Sequence, residues 1–157
     1  MANSVIIKSY VKIQEEFTAT AVAITPGMLV EIDSDGLVQA HSGGTSAGAG
    51  QPVLPMVAFE DELQGRGIDT DYAVSTKVQV LIPRRGDIMN MLLADGQTAI
   101  IGSFLESNGA GALNVHAADE PSVQQYPQLL VGQAIEALDL SDSANLSAVG
   151  RIQVRIM

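Results

Sequence analysis

Apolar residues along this chain come in short runs with a period of two, each run ended within a few positions by glycine, proline or aspartate. In KVQVLIP at 77–83, Val78, Val80 and Ile82 share one face, the pattern of a half-buried strand. MLVEI at 28–32 and LVQAH at 37–41 flank DSDG at 33–36, an Asp-Gly connection of the kind that closes hairpins. ITPG at 24–27 reads as the turn that feeds the first of these strands, since Pro26 sets its own φ and Gly27 permits a positive one. PVLPMVAFE at 52–60 is an apolar strand, and an acidic loop at 60–72 follows it. Downstream come SFLES, the turn SNGAG, ALNVH at 112–116, QLLVGQAIEAL at 128–138 and a final RIQVRIM at 151–157, all strand-like. One segment breaks the pattern. In 84–97, Asp87 stands as a cap, Ile88, Met91 and Leu92 lie at helical spacing and Gly96 closes the run, which predicts a short helix near 87–94.

The chain repeats itself. Gly27, Glu31, Gly36, His41, Pro52 and Leu54 recur as Gly102, Glu106, Gly111, His116, Pro127 and Leu129, each pair 75 positions apart. With the offset reduced to 74, Gln79, Val80 and Ile82 fall on Gln153, Val154 and Ile156. Agreement over turn glycines and strand residues together indicates two copies of one small β unit, about 20–83 and 98–157, joined by the short helix. The expected fold is mainly β: two pseudo-repeated barrel- or sandwich-like units, with residues 20–157 as a single domain. Residues 1–19 precede the repeat. Within them SVIIKSYVKIQ at 4–14 is strand-prone, and it reads equally as an extended arm or edge strand and as an ordinary first strand of the body.

Charge separates that first segment from the rest. Residues 1–14 carry Lys8 and Lys12 and no acid, whereas all 18 acids and the other 6 bases lie beyond them. A formal charge of −10 argues against a nucleic-acid partner, because phosphate contacts need clustered Lys and Arg. No apolar run approaches the roughly 20 residues that cross a bilayer, and residues 1–20 lack the basic start and apolar stretch of an export signal; the expectation is a protein made in the cytoplasm with no membrane partner. Cysteine is absent, which removes disulfides, thiolate metal sites and a thiol nucleophile. With aromatics at 4% and no tryptophan, the core is expected to be aliphatic and thin, a condition that association often relieves.

Candidate chemistry is sparse. His41 and His116 sit at equivalent repeat positions, which places them apart instead of side by side, so no metal site is assigned. Glu60, Asp61 and Glu62 with Asp69 and Asp71 supply oxygen ligands, but at the spacing of no calcium loop. The glycines of 42–50 lack the lysine and following Ser/Thr of a phosphate loop. Arg85-Gly86-Asp87 spells a receptor-read tripeptide, yet Gly86 and Asp87 have a plainer role in starting the expected helix. No nucleophile, base and acid combine into a set. The expectation is therefore no enzyme, no cofactor and no metal.

The runs AITPGMLVEIDSDGLVQAH and IGSFLESNGAGALNVHA, and above all FEDELQGRGIDTDYAVSTKVQVLIPRRGD at 59–87, resemble the capsid decoration (cement) proteins of tailed bacteriophages. The similarity covers most of the chain, from about Ala23 to Met157. It is most specific where the acidic loop, Gly65, Gly67, Ile68-Asp69, Asp71-Tyr72-Ala73 and the strand to Pro83 follow in the family's order. Where such proteins commonly carry Gly-Asp before the strand, this chain has Ser75-Thr76. The resemblance implies a β-rich homotrimer that binds the outside of an icosahedral shell, with the major capsid protein as partner, and bridges neighbouring capsomers against internal DNA pressure. It would then be a virion component on the outer capsid surface. The arm is the first candidate for capsid contact, through Val5, Ile7, Lys8, Tyr10, Val11, Lys12 and Ile13, by adding a strand to an exposed sheet edge. On that expectation it carries affinity and contributes little to the fold. The loop is the second, through Phe59, Glu60, Asp61, Leu63, Ile68 and Tyr72, for contact with the capsid or between protomers. The alternative is a carbohydrate- or receptor-binding β module on a virion surface.

Overall fold

A computed structural model describes residues 4–9, 13–20, 22–43, 54–117, 130–142 and 150–157. Thirteen strands run through these segments: β1 Ile6–Lys8, β2 Ile13–Thr18, β3 Leu29–Ile32, β4 Val38–Ala40, β5 Met56–Ala58, β6 Lys77–Ile82, β7 Ile88–Leu93, β8 Thr98–Ala99, β9 Phe104–Ser107, β10 Leu113–Val115, β11 Leu130–Ala134, β12 Leu138–Asp139 and β13 Gly150–Ile156. One turn of 3-10 helix at Glu62–Gln64 is the helical content of the described residues. The fold is mainly β, as expected.

Ten of these strands form two five-stranded barrels of the same strand order, while β8 and β12 pair as a separate two-stranded sheet. In the first, the order is β2-β6-β5-β3-β4, and a parallel bridge between Ala19 and Val38 closes it. In the second it is β7-β13-β11-β9-β10, closed by the parallel pair Leu93 and Leu113. The correspondence extends to single hydrogen bonds. Asp33 N–H donates to the Leu37 carbonyl and Asn108 N–H to that of Ala112; His41 N–H donates to Leu29 and His116 N–H to Phe104. The carboxylate of Asp33 accepts from the N–H groups of Asp35 and Leu37, and the Asn108 amide oxygen accepts from Ala110 and Ala112. Both hairpins thus close on an acceptor side chain that holds two backbone donors, a recurrent turn device. Gly27 and Gly102 have φ of 92° and 95°, Gly36 and Gly111 of 77° and 81°, so glycine recurs at these places because L residues rarely adopt that region. The pairs Pro52/Pro127 and Leu54/Leu129 lie wholly or partly outside the described residues.

The helix expected at 87–94 is strand β7, paired with β13 over six residues from Ile88↔Arg155 to Leu93↔Gly150. Five of its six residues are buried, because it is a barrel strand that also faces the other barrel. The nearly continuous apolar run that results carries no usable period, and the helix-forming tendency of Met and Leu yields to pairing across the sheet.

Equally, the described part of the supposed arm is built into the body. β2 pairs antiparallel with β6 from Ile13↔Ile82 to Thr18↔Lys77, and it takes in the first barrel the place that β7 takes in the second. β1 pairs with β7, and Val5 beside it is fully buried. Of the two readings the sequence left open for 4–14, the described residues follow the strand of the body. The repeat therefore reaches further upstream than the sequence alone indicates.

The core has two parts. Val30, Val38, Met56, Ala58, Val78 and Val80 fill the first barrel with Ala19, Ile24 and Tyr72. A larger cluster fills the second barrel and continues between the two, where Leu29, Val57 and Leu81 of the first barrel join Met89, Leu105, Leu113, Ile152 and Val154 of the second. Aliphatic side chains supply nearly all of it.

Candidate functional site

The acidic loop at 60–72 is anchored by the residues that look most chemical in the sequence. Glu60 is buried, and its carboxylate accepts from the Val5 N–H at 3.0 Å and from the Ser4 hydroxyl. Asp61, also buried, caps the 3-10 turn by accepting from the Gln64 N–H at 3.2 Å, and Gly65 ends that turn at φ 68°. Tyr72 donates its hydroxyl to the Phe59 carbonyl at 2.7 Å; burial pushes the phenol up to about 12, so it remains a donor. Phe59 and Ile68 belong to the core between the barrels. Five of the six loop residues expected at a contact thus face inward. Leu63 alone faces out, 83% exposed at the loop tip between Glu62 and Gln64.

The other expected contact group divides similarly. Val5 is buried inside the chain, whereas the side chains of Ile7 and Lys8 on β1 are exposed. Tyr10, Val11 and Lys12 lie outside the described residues, and for Ile13 the structure describes its strand pairing alone. Arg85-Gly86-Asp87 forms the turn into β7: the Asp87 carboxylate is buried and accepts from the Arg84 N–H at 2.9 Å and the Ser9 hydroxyl at 3.0 Å. That aspartate is not presented to a receptor.

The two histidines occupy equivalent hairpins and different surroundings. His116 Nδ1 lies 2.5 Å from Glu106 Oε2, half-buried at the surface of the second barrel. His41 is buried between the barrels, with Nδ1 at 2.8 Å from Ser107 Oγ and 3.2 Å from the Gly43 carbonyl. Its Nε2 makes no hydrogen bond and stands 3.8 Å from Glu31 Oε2. Burial lowers its pKa below 6.5, against the smaller opposite pull of Glu31 and the Gly43 carbonyl. Serine, histidine and glutamate are assembled here, but in the wrong sense for nucleophilic catalysis. Ser107 is fully buried, the histidine meets it through the nitrogen held by a carbonyl, and a substrate has no path to the hydroxyl. The group joins two barrels.

A cleft of about 550 Å³ opens beside it, lined by Glu31, Ile32, Asp33, Ser34, Gln39, His41, Leu54 and Met56. Among the described residues that line it, none is an aromatic on which a sugar would stack. Among the described residues, no three His, Asp or Glu side chains converge to hold a metal ion, and no helix is long and apolar enough to cross a membrane.

Arg151 is the residue that sequence reasoning missed. From β13 its guanidinium donates to the Pro26 carbonyl at 2.6 Å and the Ile68 carbonyl at 2.5 Å, and lies 3.4 Å from Asp69. It pins the first turn and the acidic loop of one barrel to the strand of the other. A weak signal was present, since the repeat places Lys77 at the corresponding position in the first barrel.

No protein-family model matches the chain, and no curated protein matches it. Among solved structures it is similar to the N-terminal base of the head fiber protein gp8.5 of bacteriophage phi29, at 14% identity and a TM-score of 0.48, over 92% of this chain and 95% of that one.

Proposed function

We propose that the chain is a structural virion protein of a tailed bacteriophage, binding the outside of the capsid as a homotrimer and bridging neighbouring capsomers. The observation that carries this is the run 59–87, where the resemblance to decoration proteins is most specific. Its Glu60, Asp61, Ile68 and Tyr72 are buried anchors, and together they hold out a short charged turn with Leu63 at its tip. A rigidly anchored turn of this kind presents a contact to a partner at small entropic cost. The exposed Ile7 and Lys8 on β1 form a second contact region.

A ligand that binds only the assembled shell stabilises it by mass action, and a trimer touching several subunits multiplies weak contacts by linking them. Individual contacts therefore need not be strong. An acidic body also keeps the protein away from packaged DNA. Cosedimentation with purified expanded capsids of tailed phages tests the reading: the protein should pellet with shells and raise the temperature at which they lose DNA. Leu63→Glu should weaken pelleting at least tenfold while leaving circular dichroism unchanged. Absence of binding to any expanded shell, or full binding by the Leu63 variant, would count against the capsid role and against the loop tip respectively.

A further inference from the structure

The two barrels pack front to back, so that one surface of the first is covered by a different surface of the second. Pro26, Gly27, Leu29, Ala40 and His41 form the covered surface of the first barrel; Asn90, Leu92, Ser107, Gly111 and Arg151 form the covering surface of the second. The contact is close. Leu29 N–H donates to the Gly111 carbonyl at 2.8 Å and Leu92 N–H to the Gly27 carbonyl at 3.1 Å. A Cβ on Gly27 would lie 2.7 Å from Arg151 Nη1 and 3.1 Å from the Asn90 carbonyl oxygen, and one on Gly111 would lie 3.0 Å from Ala40 Cβ and 3.2 Å from the Leu29 carbonyl oxygen.

By the repeat, each barrel owns both surfaces, and one of each is left uncovered. On the second barrel the counterparts of Pro26, Gly27, Leu29 and Ala40 are Ile101, Gly102, Phe104 and Val115. Ile101 is 70% and Phe104 46% exposed, with Ile100 beside them at 65%. On the first barrel the counterparts of Leu92, Ser107, Gly111 and Arg151 are Thr18, Ile32, Gly36 and Lys77, with Ile32 44% exposed. The glycines register the difference directly. Among the described residues, a Cβ at Gly36 would meet nothing within 4 Å, and one at Gly102 the end of the Gln133 side chain at 3.9 Å.

We propose that these two open surfaces bind each other between copies of the chain: the Ile101–Phe104 surface of one protomer receives the Ile32–Gly36–Lys77 surface of the next, as the first barrel receives the second within one protomer. Lys77 would then donate to the Ile101 carbonyl as Arg151 donates to that of Pro26. The occupant follows from the repeat: among the described residues, the copy of this surface on the first barrel is met by the complementary surface of a like barrel. Such a contact is head-to-tail, and where its rotation closes, repetition gives a ring in which barrels alternate first and second; the trimer proposed above requires that closure. Apolar residues otherwise left in water, Ile100, Ile101 and Phe104, are covered by it. The inference stands on the repeat geometry and needs no capsid, so free protein in solution tests it apart from shell binding.

The experiment is sedimentation velocity of the full chain and two double variants, one on each surface: Ile101→Glu with Phe104→Glu, and Ile32→Glu with Lys77→Glu. The native chain should sediment as a closed oligomer, and each variant, with unchanged circular dichroism, as a monomer. Mixing the two variants should restore a dimer and nothing larger, because each variant keeps the surface that the other has lost. A native chain that stays monomeric at about 100 μM, where even a micromolar contact would be occupied, an oligomer indifferent to either pair, or a mixture that remains monomeric would overturn the proposal.

Discussion

The two barrels share strand order, closing bridge and hairpin chemistry, yet β2 and β7, the strands that begin them, have almost nothing in common. β2 runs IQEEFT with Gln14, Glu15 and Glu16 exposed, and β7 runs IMNMLL with all but its first residue buried. Backbone pairing is the same in both, six residues against β6 and six against β13. The difference lies in what stands behind them: solvent for β2, the other barrel for β7. A strand's composition reports how many of its faces are covered before it reports its place in a sheet. Two equivalent strands in different surroundings can therefore share no residue.

The contrast between covered and open surfaces is sharpest at the repeated glycines. Alanine at Gly27 or Gly102 carries the cost of a positive φ, roughly 1 kcal/mol, but at Gly27 it also drives a methyl against the Asn90 carbonyl and displaces Arg151, adding about 2 kcal/mol. Urea unfolding at low protein concentration should show Gly27→Ala the more destabilising by that difference, and Gly111→Ala the more destabilising relative to Gly36→Ala. Equal costs within either pair would mean that the barrels do not pack as described. Next in size is the first segment. Val5→Ala should cost about 2 kcal/mol, as for other truncations in a closed core, and removal of residues 2–9 should lower the melting temperature. An arm that merely hangs from the body would leave both unchanged.

Arg151→Ala deprives two carbonyls of a charged donor and should cost about 2 kcal/mol, whereas Lys77→Ala in the monomer should fall within about 0.5 kcal/mol of native. Similar values for the two would remove the distinction between the closed and the open site. The smallest expected effect concerns His41. Burial depresses its pKa below 6.5, so the unfolded chain takes up the proton first as pH falls. Stability is then full above pH 6.5, declines as pH drops below it, and stops declining from this source once His41 protonates in the folded state as well. His41→Asn, which keeps a donor toward Ser107 and Gly43, should flatten that part of the stability–pH curve. An unaltered curve would show that the ring is not buried between the barrels.

Turns and hairpins were legible in the sequence because they depend on local chemistry. Asp33-Ser34-Asp35-Gly36 and its counterpart Asn108 to Gly111 close by their own side-chain acceptors and glycine conformations, and the 75-residue offset exposed them. The alternation Val78, Val80, Ile82 likewise needed only one covered face. The acidic residues misled for the opposite reason. Glu60 looks like a solvent-facing charge, but the N–H it accepts from belongs to Val5, 55 positions away, and no local pattern announces a buried carboxylate held by a distant donor; Asp61, by contrast, caps the turn that follows it.

Sequence by itself determined that this is a duplicated β protein and where its hairpins turn. Those follow from interactions spanning a few residues or from the repeat of one copy against another. Tertiary structure alone decided that 88–93 is a strand, that the described part of the first segment belongs to the body, and that Phe59 and Arg151 join the barrels. Each of these depends on which faces are covered by chain far away in sequence, and a linear pattern records burial without recording what does the burying.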